Sequence, residues 1–337
     1  MTAPVANLFE QQEANRRRSF WLVAGFLLFF AWIGFGGDLA LYLATAGSDR
    51  PHVIPGIGIV ATLVAGGICW YSWRKGPARV LWATGAREVV EPADEAERRL
   101  VNVVEEMAIA SGLPRPRVYV VPDADPNAFA TGITPETAAV AVTAGLLERL
   151  DRDELQGVVA HELAHVRNLD TRLMTLLAAM VGAIALMSDG MGRMLRGGVR
   201  IGGGGGRSAR GGKGGGNPLV VVVLVLWLIS LVLAPVISRF LAMAVSRKRE
   251  YLADATAAQF TRNPMALATA LEKLHAAGEP THAITRGAAH LCIVDPSASG
   301  LSAREGRFAD VFASHPPIAQ RIIRLKGMAY QAAKATA

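Results

Sequence analysis

The stretch His161-Glu162-Leu163-Ala164-His165-Val166-Arg167-Asn168-Leu169-Asp170-Thr171 decides how this chain is read. Residues four apart on an α-helix lie one above the other, so His161 and His165 offer two imidazoles to one cation from a single face. Glu162, beside the first histidine, is placed to take a proton from a water that the cation activates. A helix suits the stretch: Asp151 and Glu154 form a capping-box start, and Leu155, Val158, Val159 and Leu163 supply an apolar side. The bland reading is a solvated helix face with an accidental pattern. A second acidic motif, Arg249-Glu250-Tyr251-Leu252-Ala253-Asp254, weighs against it. A hydrolytic zinc site needs three protein ligands and one open position. Position 171 is Thr, so a third histidine six residues on is absent, and Glu250 becomes the best candidate. Asp254 shares its helical face and can accept a hydrogen bond from a ligand imidazole.

The surroundings point to a membrane. The chain has 337 residues, 51% of them hydrophobic, and a mean hydropathy of +0.30, too apolar for an ordinary soluble enzyme. The apolar residues are clustered in runs at Phe20–Gly37 (resuming after Asp38 through Leu43), Val53–Trp73, Leu219–Ile237 and the shorter Leu173–Met187. Each of the first three approaches the roughly 20 residues a helix needs to cross a bilayer. About four transmembrane helices are therefore expected, the first two as an uncleaved hairpin. A cleaved secretory signal fits the long first run and the closely following second run less well. Arg16–Arg18 before the hairpin and Arg74, Lys75, Arg79 and Arg87 after it place both flanks in the cytoplasm, and Arg247, Lys248 and Arg249 agree. The basic, Gly-rich stretch 197–216 runs against this tendency. Either the overall topology overrides its charge, or the last helix pair does not fully cross. It lacks the strand and the Lys-Ser/Thr ending of a phosphate loop, and it is a candidate site of self-cleavage.

The net charge of +7 is concentrated at membrane flanks and in that loop, which suits anionic lipid rather than nucleic acid. The two cysteines, Cys69 and Cys292, are expected to be reduced bystanders. Two soluble stretches complete the chain. Asp94–Ser111 is expected as a helix ending at Gly112, and Arg117–Val121 and Ala138–Thr143 as strands of a small sheet. The metal helix is expected to continue through Arg172 towards the third apolar run. Asp170 reads as a cap or a partner of Arg172, outside the metal's own ligands. His52, His275, His282 and His290 lack partners at ligand spacing. The expected division is 1–83 as tail and hairpin, 84–172 and 246–337 as two parts of a catalytic domain, and 173–245 as a second helix pair.

Across these membrane runs, the pairing of HELAHVRNLDT with SRKREYLADATAAQF resembles the HtpX-type membrane zinc endopeptidases, gluzincins related to the CAAX prenyl proteases. The resemblance spans nearly the whole chain. It implies a mainly helical α+β gluzincin with one zinc ion per chain, held by His161, His165 and Glu250, and Glu162 as the base. It further implies that Asn127 and Ala128, in Pro126–Gly132, hydrogen-bond the substrate backbone. His315, in Ser314-His315-Pro316-Pro317, and Arg321 would steady the tetrahedral intermediate. The substrates would be misfolded or damaged membrane proteins, met in the cell (inner) membrane with the catalytic domain facing the cytoplasm. A catalytically idle zinc-binding scaffold or chaperone, a prenyl-peptide processing protease and a transporter are the alternatives. The intact Glu162 argues against the first and the soluble domains against the last; homo-oligomers stay open.

Overall fold

The computed structural model describes residues 8–47, 49–177, 222, 225–227, 229–230, 247–277, 292–293 and 316–336. They are mainly helical with one small mixed sheet. Two compact units share the chain: one comprises residues 1–21, 71–179 and 241–337, the other residues 22–70 and 180–240. The Gly-rich stretch 197–216, and most of the third and fourth apolar runs, lie outside the described residues.

Two helices, α1 (Leu8–Thr45) and α2 (Gly56–Ala83), contain the candidate membrane spans Gln12–Leu43 and Gly56–Ala83. At a rise of about 1.5 Å per residue they run to roughly 57 and 42 Å, longer than a hydrocarbon core of ~30 Å. Within the apolar unit Phe26, Phe30, Ala65 and Cys69 form a buried cluster. Gly34 sits so close to Gly58 that a Cβ on it would lie 2.7 Å from the Gly58 Cα. Small residues permit such close helix approach. Leu28, Val60 and Leu63 face outwards, as lipid-facing residues do. Asp38, the acid that interrupts the first apolar run, is buried and accepts hydrogen bonds from the Gly58 and Ile57 amides at 2.6 and 3.2 Å. His52 Nε2 lies 2.7 Å from the same carboxylate. A charge that would be costly alone thus caps the positive end of α2.

The other unit carries the sheet β1 (Arg87–Glu88), β2 (Arg117–Val121), β3 (Ala128–Thr131) and β4 (Ala139–Thr143). Its order is β1-β2-β4-β3; β2 and β4 run parallel and the other pairs antiparallel, so β3 is an edge strand. Helix α3 (Glu95–Ser111) starts where the Asp94 side chain accepts from the Glu97 amide. It ends at Gly112, whose φ of 68° suits glycine. After α4 (Ala144–Arg149) comes α5 (Arg152–Arg167), opened by the reciprocal Asp151–Glu154 capping box. Helices α6 (Arg247–Thr261), α7 (Pro264–Ala277) and α8 (Ile318–Thr336) complete the unit. Leu155, Val158, Val159 and Leu163 of α5 pack with Leu100, Val103, Val140, Val142, Leu267 and Leu271 in one core. Gly157 lets α7 approach: a Cβ there would lie 2.7 Å from the Leu267 amide nitrogen.

One expectation needs correcting. Helix α5 does not run on through Arg172. It stops at Arg167, the chain turns at Asn168 and Leu169, with Leu169 at φ 58°, and helix resumes over residues 170–177.

Candidate metal centre

Helix α5 presents His161 and His165 one turn apart, and α6 brings Glu250 against them from a segment some ninety positions further along the chain. The ligand atoms of these three residues all lie within 4.8 Å of one another. His161 Nε2 and His165 Nε2 are 3.2 Å apart, and each is close to the Glu250 carboxylate, at 3.6 Å (Oε2) and 3.5 Å (Oε1) respectively. A tetrahedral zinc site with bonds of about 2.0–2.1 Å has ligand–ligand edges of about 3.3–3.4 Å, close to the spacing between the two Nε2 atoms and between each of them and its nearer Glu250 oxygen.

The far nitrogens of both rings are held by carboxylates. His161 Nδ1 lies 3.0 Å from Asp254 Oδ1, and His165 Nδ1 lies 3.2 Å from Asp170 Oδ2. A carboxylate can only accept, so each imidazole keeps its proton on Nδ1 and turns the Nε2 lone pair inwards. Two lone pairs facing each other across 3.2 Å beside a carboxylate call for positive charge between them. The electrostatics agree at His165. Burial opposes its charging, but the Asp170 hydrogen bond and the Glu250 and Asp170 charges outweigh this and raise its pKa to about 9. Two imidazoles and a carboxylate are a donor set zinc favours, and the residues present fit it.

Glu162 is buried beside this trio. Burial pushes its carboxyl pKa up, while His161, His165 and a backbone hydrogen bond from Ala130 of β3 pull the other way without reversing the shift. Arg321 of α8 is fully buried and forks onto Asp254: Nε donates to Oδ2 at 3.0 Å and Nη2 to Oδ1 at 2.7 Å. Its Nη1 donates to the Ile293 carbonyl at 3.1 Å and lies 3.5 Å from Glu250 Oε2. Burial resists ionisation of Asp254, but the Arg321 charge and the His161 hydrogen bond hold its pKa below the ordinary carboxylate value.

Comparisons with known proteins identify the family. Residues 94–329 match the model of peptidase family M48. The chain belongs to that family. Curated relatives named Protease HtpX homolog include one from Listeria monocytogenes serotype 4b (strain CLIP80459), 40% identical over 321 residues, which covers 95% of this chain and 100% of that protein. Another, from Streptococcus gordonii, is 37% identical over 322 residues with the same coverage. Among solved structures, S. mikatae Ste24p aligns with a TM-score of 0.44 and 16% identity over 94% of this chain and 66% of its own; that likeness is too distant to add to the assignment. As an M48 peptidase whose described residues include two membrane-length apolar helices, the chain is a membrane metalloprotease.

The residues singled out in the sequence lie as follows. His161, His165, Glu250, Glu162, Asp254 and Arg321 come together in one buried cluster. Asn127 and Ala128 lie at and just before the start of edge strand β3, but their polar groups are engaged within the chain. Asn127 Oδ1 accepts from the Ala128 amide at 3.0 Å, and the Ala128 carbonyl accepts from the Ile293 amide at 2.9 Å. Phe129 and Cys292 form an antiparallel bridge along the same edge. His315 lies outside the described residues.

Asp170 is the residue the sequence undervalued. Its carboxylate meets His165, Asn15 and Arg249, while the Arg172 guanidinium stacks 4.4 Å from the Trp73 ring centroid. The turn at Asn168–Leu169 swings Asp170 back under His165 instead. In an unbroken helix, five residues on is about 140° away around the axis, so spacing carried no signal for this contact.

Proposed function

We propose that this M48 protease is a zinc endopeptidase holding one zinc ion per chain on His161, His165 and Glu250, with Glu162 as general base. The convergence of the two Nε2 atoms and the Glu250 carboxylate, with Glu162 beside them, carries this reading. Bound zinc supplies a lowered pKa for its water, about 7, and polarises the scissile carbonyl. Glu162 takes the proton of the attacking water and passes it to the leaving amine. Burial, which raises its pKa, makes it the stronger base for the first of these transfers. Asp254 and Asp170 keep the ligand imidazoles in one tautomer and orientation.

The remaining roles are proposals of the same kind. Arg321, whose guanidinium holds Asp254 and the Ile293 carbonyl and lies 3.3 Å from His161 Nε2, acts through the ligand shell, and His315 is the candidate donor to the developing oxyanion. A peptide pairing with the edge of β3 near Asn127 and Ala128, in place of the Cys292–Ile293 segment that pairs there, would be read through its backbone. That mode favours extended, unfolded substrates, hence misfolded or damaged membrane proteins. Four spans, with the parts at 84–172 and 246–337 facing the cytoplasm, complete the proposal. The helical turns at 225–227 and 229–230, with Trp227 Nε1 donating to the Ile33 carbonyl at 2.9 Å, support a fourth apolar helix beside α1.

The test compares wild type with Glu162→Gln in detergent, measuring zinc content and cleavage of an unfolded protein. Both should carry about one zinc, with cleavage lowered at least a hundredfold in the variant. A wild type that holds zinc but cuts nothing would support a scaffold instead. Failure of both to hold zinc would remove the ligand set.

A further inference from the structure

Helix α1 begins well before its apolar stretch, and its first turns carry an amide-rich run, Gln11-Gln12-Glu13-Ala14-Asn15, ahead of Arg16–Arg18. Asn15 is buried in the catalytic unit, 4% exposed on a helix whose neighbouring positions Glu13, Arg16 and Arg17 face solvent. Its Nδ2 donates to Asp170 Oδ1 at 2.7 Å and to the Asn168 carbonyl at 2.8 Å. Asp170 uses its other oxygen, Oδ2, on His165 Nδ1. One carboxylate thus bridges a metal-ligand imidazole and an amide from the beginning of the chain. Gln12, one turn earlier, donates to the Arg167 carbonyl at 2.7 Å. The last carbonyls of a helix have no partner within it, and here two of those around the end of α5 are met by α1 side chains.

We infer that Asn15 is a positioning residue of the metal centre, fixing Asp170 so that His165 is held in its ligand tautomer and direction. This rests on the zinc reading proposed above. The two hydrogen bonds of Asn15 span the turn at Asn168–Leu169, and that turn is what brings Asp170 back under His165. Without the amide, Asp170 keeps its 3.5 Å approach to Arg249 Nε but loses its shortest hydrogen bond. The carboxylate is then free to swing from the imidazole towards the guanidinium. Outer partners of this kind are worth about 10–100-fold in metal affinity. Gln12 serves as the internal control, since it closes the same end of α5 yet touches neither Asp170 nor a ligand.

The experiment uses the full-length chain in detergent and measures zinc dissociation constant and release rate by chelator competition, together with thermal unfolding of the metal-stripped protein. Asn15→Ala should weaken zinc binding at least tenfold. Asn15→Asp, isosteric but placing a second carboxylate against Asp170, should weaken it at least as much. Gln12→Ala should lower the unfolding temperature while leaving zinc affinity within about twofold of wild type. An Asn15→Ala protein that binds zinc as wild type does would overturn the inference while the zinc reading stands. So would equal loss of affinity in Gln12→Ala and Asn15→Ala, which would mark a general packing effect. A wild type that holds no zinc would overturn the zinc reading itself and this inference with it.

Discussion

Arg321 shows how much of this site depends on one side chain. Among the described residues it is the largest fully buried side chain, its charge lies among Asp254 and Glu250, and its fork meets both oxygens of Asp254. Burying a guanidinium is costly unless its donors are satisfied, and Asp254 and the Ile293 carbonyl satisfy it here. Lysine offers a single point of donation and cannot fork. Arg321→Lys is therefore expected to weaken zinc binding at least tenfold, read by chelator competition, as Asp254 loosens its hold on His161. If the variant kept wild-type zinc affinity and lost only kcat, Arg321 would instead be acting on the reacting carbonyl, as the resemblance to HtpX-type enzymes implies. The spacing within each motif was enough to put His161 over His165 and Glu250 over Asp254. That a residue some seventy positions beyond Glu250 would lie against both acids had no local signature.

The informative feature among the helices is where α5 ends. The sequence reads as one continuous helix into the third apolar run, because Val166, Leu169, Leu173 and Leu176 continue an apolar face with no Gly or Pro to interrupt it. The structure interrupts it with a leucine at φ 58°, a conformation that costs a non-glycine residue of order 1 kcal/mol or more. Tertiary contacts hold the break: Asn15 takes the Asn168 carbonyl, and Leu169 itself is buried. Leu169→Pro, whose ring forbids positive φ and whose nitrogen cannot donate to the Val166 carbonyl, should displace Asp170. Zinc affinity should fall at least tenfold and stability by about 3 kcal/mol. Leu169→Asn tolerates the same φ and should keep zinc affinity within a few-fold while losing some stability to the lost apolar burial. Isothermal zinc titration and thermal unfolding of the two variants separate these outcomes; equal zinc affinity in both would detach the turn from the metal site.

For the molecule as a whole, the candidate metal joins parts of the chain that are remote in sequence. Its ligands come from α5 and α6, Arg321 ties in α8, and Asn15 ties in the beginning of α1. A cation that binds only the folded form adds stability by mass action, about 2.7 kcal/mol at a free concentration a hundredfold above its dissociation constant. Chelation should therefore lower the unfolding temperature measurably, and restoring zinc should return it. An unfolding curve indifferent to chelator would mean that the cluster is structurally complete without metal. The apolar unit has its own device in Asp38 capping α2, which explains an acid inside a membrane run without calling on catalysis.

Periodicity and local chemistry settle whatever depends on neighbours a few residues apart. The helix faces of the two metal motifs, the capping box before α5, the stop at Gly112, the strands at 117–121 and 139–143 and the two long apolar helices are of this kind. The edge position of β3 and its pairing with Ile293, the turn that returns Asp170 to His165, the reach of Asn15 and the fork of Arg321 are of another kind. Asn15, Arg321 and Ile293 join segments tens to more than a hundred residues from their partners. The Asp170–His165 contact, though only five residues apart, exists because Asn15 holds the turn between them. Such contacts are selected by burial and by the need to satisfy buried polar groups. Those demands exist only once the chain has packed.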